Sequence, residues 1–196
     1  MRKTQITRTT NETQIAVTVN LDGAGRCESA TGVGFFDHML DHLARHSRMD
    51  ITVSAKGDLN VDAHHTVEDV AICLGQALRE ALGDRVGIVR FGHAVVPMDE
   101  ALAEVAVDLS GRPFLSFQAD LPRGAVGEFD SDLVEEFLRA FAMHARASVH
   151  VILRYGHNLH HCIEAMFKAL ARALDQAVRK DTRLKDAPST KGMLEA

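Results

Sequence analysis

The stretch DAHHTVEDVAICLGQALREAL (62–82) is written a second time as NLHHCIEAMFKALARALDQAV (158–178). Each copy opens with HHxxE and continues with Ala and Leu at helical spacing, so each reads as an amphipathic helix, over 64–82 and 160–179. Asp62 and Asn158 precede the two His pairs at the place of an N-cap. Outward from these helices the repetition continues. NETQIAVTVNLDG (11–23) lies over MDEALAEVAVDLSG (98–111), which puts Glu12 on Glu100 and Gly23 on Gly111. FFDHMLDHLARHSRMDITV (35–53) lies over LVEEFLRAFAMHARASVHV (133–151), which puts His38 on Glu136. Three blocks in one order imply a half of about 90 residues present twice.

Each half reads alike. Gln14–Leu21 and Ala101–Leu109 alternate apolar and polar residues, the period of a half-buried strand. Shorter strand-like runs flank them at Gln5–Thr9, Cys27–Thr31, Ala94–Pro97 and Pro113–Ala119. An amphipathic helix follows near 35–48 and near 131–146, then a strand at 49–55 and at 147–155, then the HHxxE helix. The expectation is an α+β chain of two βββαβα halves, 1–90 and 91–180, with helices packed between two four-stranded sheets. The segment 181–196 loses periodicity and reads as a polar tail.

Composition narrows the class. The 196 residues carry 22 Lys+Arg against 27 Asp+Glu, a balance of −5 that argues against nucleic acid as a partner. No apolar run approaches the roughly 18 residues of a spanning helix, so no membrane partner is expected. The start MRKTQITRTTNETQ has no apolar core of a secretory signal. Cys27, Cys73 and Cys162 lack CxxC spacing, which suits a reducing cytosol and a cytoplasmic protein. Histidine, at 11 residues, is the first functional clue.

On a helix, residues i and i+4 share a face, so His64 with Glu68, and His160 with Glu164, can each grip one cation. The adjacent His65 and His161 point about 100° away and serve a different ion. With the duplication applied, two ligand sets follow: His38, His65, His160 and Glu164 for one ion, and Glu136, His161, His64 and Glu68 for the other. Imidazole and carboxylate donors with open positions suit octahedral Mn, Fe, Co or Ni better than Zn. The positive helix N-termini should keep these imidazoles neutral. His42 and His46 continue the stripe from His38 and are expected to touch a ligand; His144 and His157 read as ordinary polar residues.

GVGFFDHMLDH (32–42), DAHHTVED (62–69), RFG (90–92), PMDEAL (97–102), DLSGRP (108–113), NLHHCIEAMFKAL (158–170) and STKG (189–192) together resemble the imidazoleglycerol-phosphate dehydratases of histidine biosynthesis. The resemblance runs essentially from end to end. It implies a ribosomal S5 domain 2-like fold, two Mn²⁺ ions per active site, and dehydration of D-erythro-imidazole-glycerol phosphate to imidazole acetol phosphate. It further implies a hollow 24-subunit particle built from trimers, and a chain with no room for the phosphatase module that some relatives append. Glu12 takes the catalytic role of handling the proton on carbon, with Glu100 structural. His42 and His46 join it as catalytic contacts to the glycerol hydroxyls or to metal-bound water. Glu12, Arg90, Arg112, Lys168, Ser189, Thr190 and Lys191 bind substrate, the cations and hydroxyls taking its phosphate. This chain has VEEFL where some relatives have VEHFF, so Glu136 stands where those relatives have an imidazole ligand. Two other readings of the His pairs compete: a two-metal hydrolase, and a non-catalytic metal-binding shell. The first expects a bridging carboxylate that the two ligand sets lack; the second leaves Glu12, Arg90, Arg112 and STKG without a role.

Overall fold

The computed structural model describes residues 2–194, so residues 195–196 of the expected tail lie outside the described residues. Numbered in chain order, the first half comprises β1 (Lys3–Thr9), β2 (Thr13–Asn20), β3 (Cys27–Ala30), α1 (Gly34–Ser47), β4 (Asp50–Gly57) and α2 (His64–Leu82). The second comprises β5 (Phe91–Met98), β6 (Ala101–Asp108), β7 (Phe114–Gln118), α3 (Asp132–Ala145), β10 (Ser148–Tyr155) and α4 (Leu159–Ala177). Between β7 and α3 stands a small hairpin of β8 (Ala125–Val126) and β9 (Phe129–Asp130), which the sequence reading did not anticipate.

The two sheets have one topology. Strand order is β1-β2-β4-β3 in the first and β5-β6-β10-β7 in the second. In both, the strand after the hairpin pairs parallel with the strand that follows the first helix of the half. The period-2 alternation of β2 and β6 is realised as buried positions at Ile15, Val17 and Val19, and at Ala103, Val105 and Val107. These inner faces are covered by helices. α2 packs on β1 and β2 and α4 on β5 and β6, while α2 meets α3 and α1 meets α4 across the halves. The four helices therefore lie between two four-stranded sheets, as expected.

Repetition extends to the details. Both first helices end on an arginine in the left-handed region, Arg48 at φ 62° and Arg146 at φ 50°, a conformation more often left to glycine. Where the halves meet, Phe36, Phe129, Phe137, Phe141 and Phe167 are fully buried, with Phe137 and Phe167 5.0 Å apart at their centroids. Aromatic contacts of this kind add about 0.5–1.5 kcal/mol each beyond the area they bury. One N-cap differs from expectation. Asn158 caps α4 by accepting from His161 N, whereas α2 is capped at Ala63 and Asp62 sits one residue before it, accepting from His64 N at 2.7 Å.

Candidate active site

The packing of α1 against α4 brings one set of donors together. His38 Nε2 lies 3.4 Å from Glu164 Oε2, and His160 Nε2 lies 3.1 Å from the same oxygen. Ligand atoms of His38, His160 and Glu164 fall within 4.8 Å of one another, the one such grouping among the described residues. His42 joins them, its Nε2 3.3 Å from both His38 Nε2 and Glu164 Oε1. His46 stacks on His42 at 5.6 Å. Burial would raise the Glu164 carboxyl, but the Lys168 ammonium and the imidazoles outweigh it and hold the group down at about 2. Burial lowers His42 and His46, which keeps both imidazoles neutral and able to offer lone pairs. A buried, ionised carboxylate beside the ring nitrogens of His38 and His160 is a donor set that fits a divalent cation.

His65, expected in that set, is elsewhere in the chain. Its Nδ1 lies 3.0 Å from Asp58 Oδ2 and 3.9 Å from Glu12 Oε2. His161 has the same arrangement, with Nδ1 2.7 Å from Glu100 Oε2. Hydrogen bonds to Asp58 and to Glu100 raise these two imidazoles, against the downward pull expected of the helix N-termini. A nearby full negative charge outweighs the partial positive charge of a helix end. Such a bond also fixes the proton on Nδ1 and leaves Nε2 for a ligand, the common support of a metal-binding histidine. Neither Asp58 nor this use of Glu100 was foreseen. The i,i+4 logic sees only one helix, whereas Asp58 comes from the loop between β4 and α2 and Glu100 from the turn between β5 and β6.

Of the second expected set, His64 is exposed and Glu68 and Glu136 half-buried; with His161 they form no three-donor grouping among the described residues. His144 sits beside Gln76 and His157 is 87% exposed, in keeping with their ordinary reading.

Arg90, Arg112, Ser189, Thr190 and Lys191 line a single cavity of about 730 Å³. Arg90 is held by Asp108 through paired bonds of 2.7 and 3.1 Å, and it donates to Pro188 O at 2.8 Å, which fastens the tail over the cavity. The STKG segment turns there, with Lys191 N donating to Ser189 Oγ at 3.2 Å. Lys168 is not among them: its ammonium is paired with Glu164. Glu12 lines a separate small cavity with Asn11, Lys56 and Asp58, its side chain 54% exposed.

The model of the imidazoleglycerol-phosphate dehydratase family matches residues 31–174. The chain belongs to this family. Imidazoleglycerol-phosphate dehydratase of Rhodopseudomonas palustris (strain HaA2) is 58% identical over 195 residues, 99% of each chain. That of Geobacillus kaustophilus (strain HTA426) is 55% identical over 193 residues, 98% of this chain and 99% of the relative. Among solved structures, the dehydratase of Staphylococcus aureus subsp. aureus N315 superposes with a TM-score of 0.83 at 44% identity, over 91% of this chain and 99% of that one. The dehydratase of Pyrococcus furiosus, in complex with (S)-C348, gives 0.84 at 38%, over 96% and 100%. The dehydratase fold is thus carried along nearly the whole chain.

Proposed function

We propose that this hydro-lyase of histidine biosynthesis dehydrates D-erythro-imidazole-glycerol phosphate to imidazole acetol phosphate with two Mn²⁺ ions at its site. The observation that carries the metal reading is the convergence of His38, His160 and Glu164, with Glu164 kept ionised. Bound divalent cations would supply positive charge that stabilises electron density gathering on the imidazole ring as the substrate loses its proton. The chain's own residues do the rest. Arg90, Arg112, Ser189, Thr190 and Lys191 hold the phosphate in the cationic cavity, a role their shared lining supports. Glu12, exposed beside His65, takes the proton from carbon while hydroxide leaves the neighbouring carbon. His42 and His46 face the hydroxyls as neutral imidazoles.

Within one chain the fourth ligand, His65, sits with Asp58 rather than with His38, which favours a site completed by a second copy. Lys168 belongs to the same shared site, reaching the phosphate once a cation replaces it on Glu164. A 24-mer of trimers meets this need, and Phe91, Val95, Phe114 and Tyr155, all exposed on strands of the second sheet, offer apolar surface for it. A biosynthetic step of this kind is expected in the cytoplasm.

Turnover of imidazole-glycerol phosphate by the metal-loaded protein, abolished by chelator and restored by Mn²⁺, is the expected result. Glu12→Gln should retain metal and lose about 10²-fold or more in kcat. Full turnover by that variant would remove Glu12 from the mechanism, and turnover unaffected by chelation would remove the metals.

A further inference from the structure

The two halves support their equivalent histidines with different carboxylates. Glu12 and Glu100 are repeat mates, each at the residue just before β2 or β6. Glu100 is fully engaged: it accepts from His161 Nδ1 at 2.7 Å, from Asn158 N at 2.8 Å and from His157 N at 3.3 Å. Glu12 makes no hydrogen bond through its carboxylate to the described residues, and it stands 3.9 Å from His65 Nδ1. Asp58 occupies the place it would otherwise take.

Register explains how. β2 pairs with β4 so that Gln14 faces Lys56, whereas the β10 bulge between Leu153 and Tyr155 makes Leu102 face Tyr155. Past the bulge, Gly57 stands where Gly156 stands, and Asp58 stands where the second half has His157. The imidazole there does not take the acceptor's place: His157 is 87% exposed, its Nδ1 lies 3.7 Å from Glu100, and His161 Nδ1 bonds to Glu100 instead. In the second half Glu100 alone can orient the histidine. In the first half, Asp58 relieves its mate of that task.

We infer that Asp58 is a positioning residue which, by accepting the hydrogen bond of His65 Nδ1, keeps the Glu12 carboxylate available to the substrate. The inference rests on the proton-handling role proposed for Glu12. It assigns to one aspartate the division of labour between the halves: one carboxylate of the duplicated pair supports a histidine, and the other is left for chemistry.

The test compares Asp58→Ala, Asp58→Asn and Glu100→Ala in the full-length protein. In Asp58→Ala, Glu12 closes on His65, so Mn²⁺ content stays within about 2-fold while kcat falls about 10²-fold with KM nearly unchanged. The amide oxygen of Asp58→Asn still accepts from Nδ1 and restores most of kcat. Glu100→Ala has no substitute acceptor and binds Mn²⁺ about 10–100-fold more weakly. Nitrogen-15 spectra of the metal-free protein provide a readout independent of turnover. His65 should keep its Nδ1 proton in Asp58→Ala and lose that preference only when Glu12→Ala is added. Asp58→Ser, too short to reach Nδ1, replaces Asp58→Ala should the latter fail to fold. Wild-type kcat in Asp58→Ala, or an unchanged His65 spectrum in the double variant, overturns the inference. A wild type that binds Mn²⁺ without dehydrating the substrate overturns the proposed function instead, and the spectra still decide the Asp58 contact.

Discussion

Glu164 concentrates the chemistry of the cluster in one side chain. It is 5% exposed, ionised down to about 2, and in reach of His38, His42, His160 and Lys168. Its folded value lies below its ordinary 4.5, so the stability it contributes is present above 4.5 and is lost as pH falls toward about 2. In chelator-treated protein, the thermal midpoint of the wild type should therefore drop across that window more steeply than that of Glu164→Gln. Parallel curves would show the carboxylate to be uncoupled from folding. With metal present, the same substitution should lower Mn²⁺ content, measured by elemental analysis. Glu164 was legible in the sequence because HHxxE occurs twice in register, so one copy vouches for the other. Asp58 and the orienting use of Glu100 were not, because neither the 7-residue interval from Asp58 to His65 nor the 61-residue one from Glu100 to His161 says which carboxylate the fold brings to a ring nitrogen. Lys168 was read as a phosphate contact from the resemblance alone, and only the folded helix shows it seated on Glu164.

Elements were more legible than contacts. The strands and helices of both halves were readable because each has a clear period and because the second copy corroborates the first. The β8–β9 hairpin escaped: two-residue strands carry no period, and only the fold shows its Phe129 buried against Phe35 and Phe36. What the pattern also hides is how closely α2 and α3 approach. A Cβ on Gly75 would lie 2.7 Å from Phe141 O and 2.8 Å from Ala145 N, both backbone atoms of α3 or its last turn. Gly75→Ala must push the helices apart, and a loss of about 1–3 kcal/mol in urea unfolding is expected. Ala171, its repeat mate, already carries that methyl group in α4 and is fully buried, so the constraint belongs to the α2–α3 crossing and not to the repeat. At the other end of the fold, Asn158→Ala removes the one side-chain cap of α4 and should cost about 1 kcal/mol by the same measurement. The variant would also disturb the His161 amide that the cap holds, so Mn²⁺ content should fall with stability.

Across the whole molecule, the donor cluster between α1 and α4 and the cationic cavity under the tail are different places, and a substrate that is ring at one end and phosphate at the other must bridge such places. That bridging makes phosphate contacts separable from chemistry. Lys191→Ala should raise KM about 10–100-fold, the loss of one charge-assisted contact, with a much smaller change in kcat. A kcat effect as large as the KM effect would put Lys191 at the reacting atoms instead. The same separation bears on assembly. His38, His160 and Glu164 converge in one chain, while His65 is anchored by Asp58 in another part of it. If the ion joins His65 of one copy to the cluster of the next, each ion is also a clamp between copies, and removing it takes away binding energy that the folded chain alone does not replace. Chelation should therefore lower the mass of the assembly in size-exclusion light scattering, and Mn²⁺ should reverse the shift. His65→Ala should weaken the large form even with Mn²⁺ in excess. A particle whose mass is indifferent to both treatments would mean that the ligands of each ion come from one chain, which would require α2 to move relative to α1 and α4 when the ion binds.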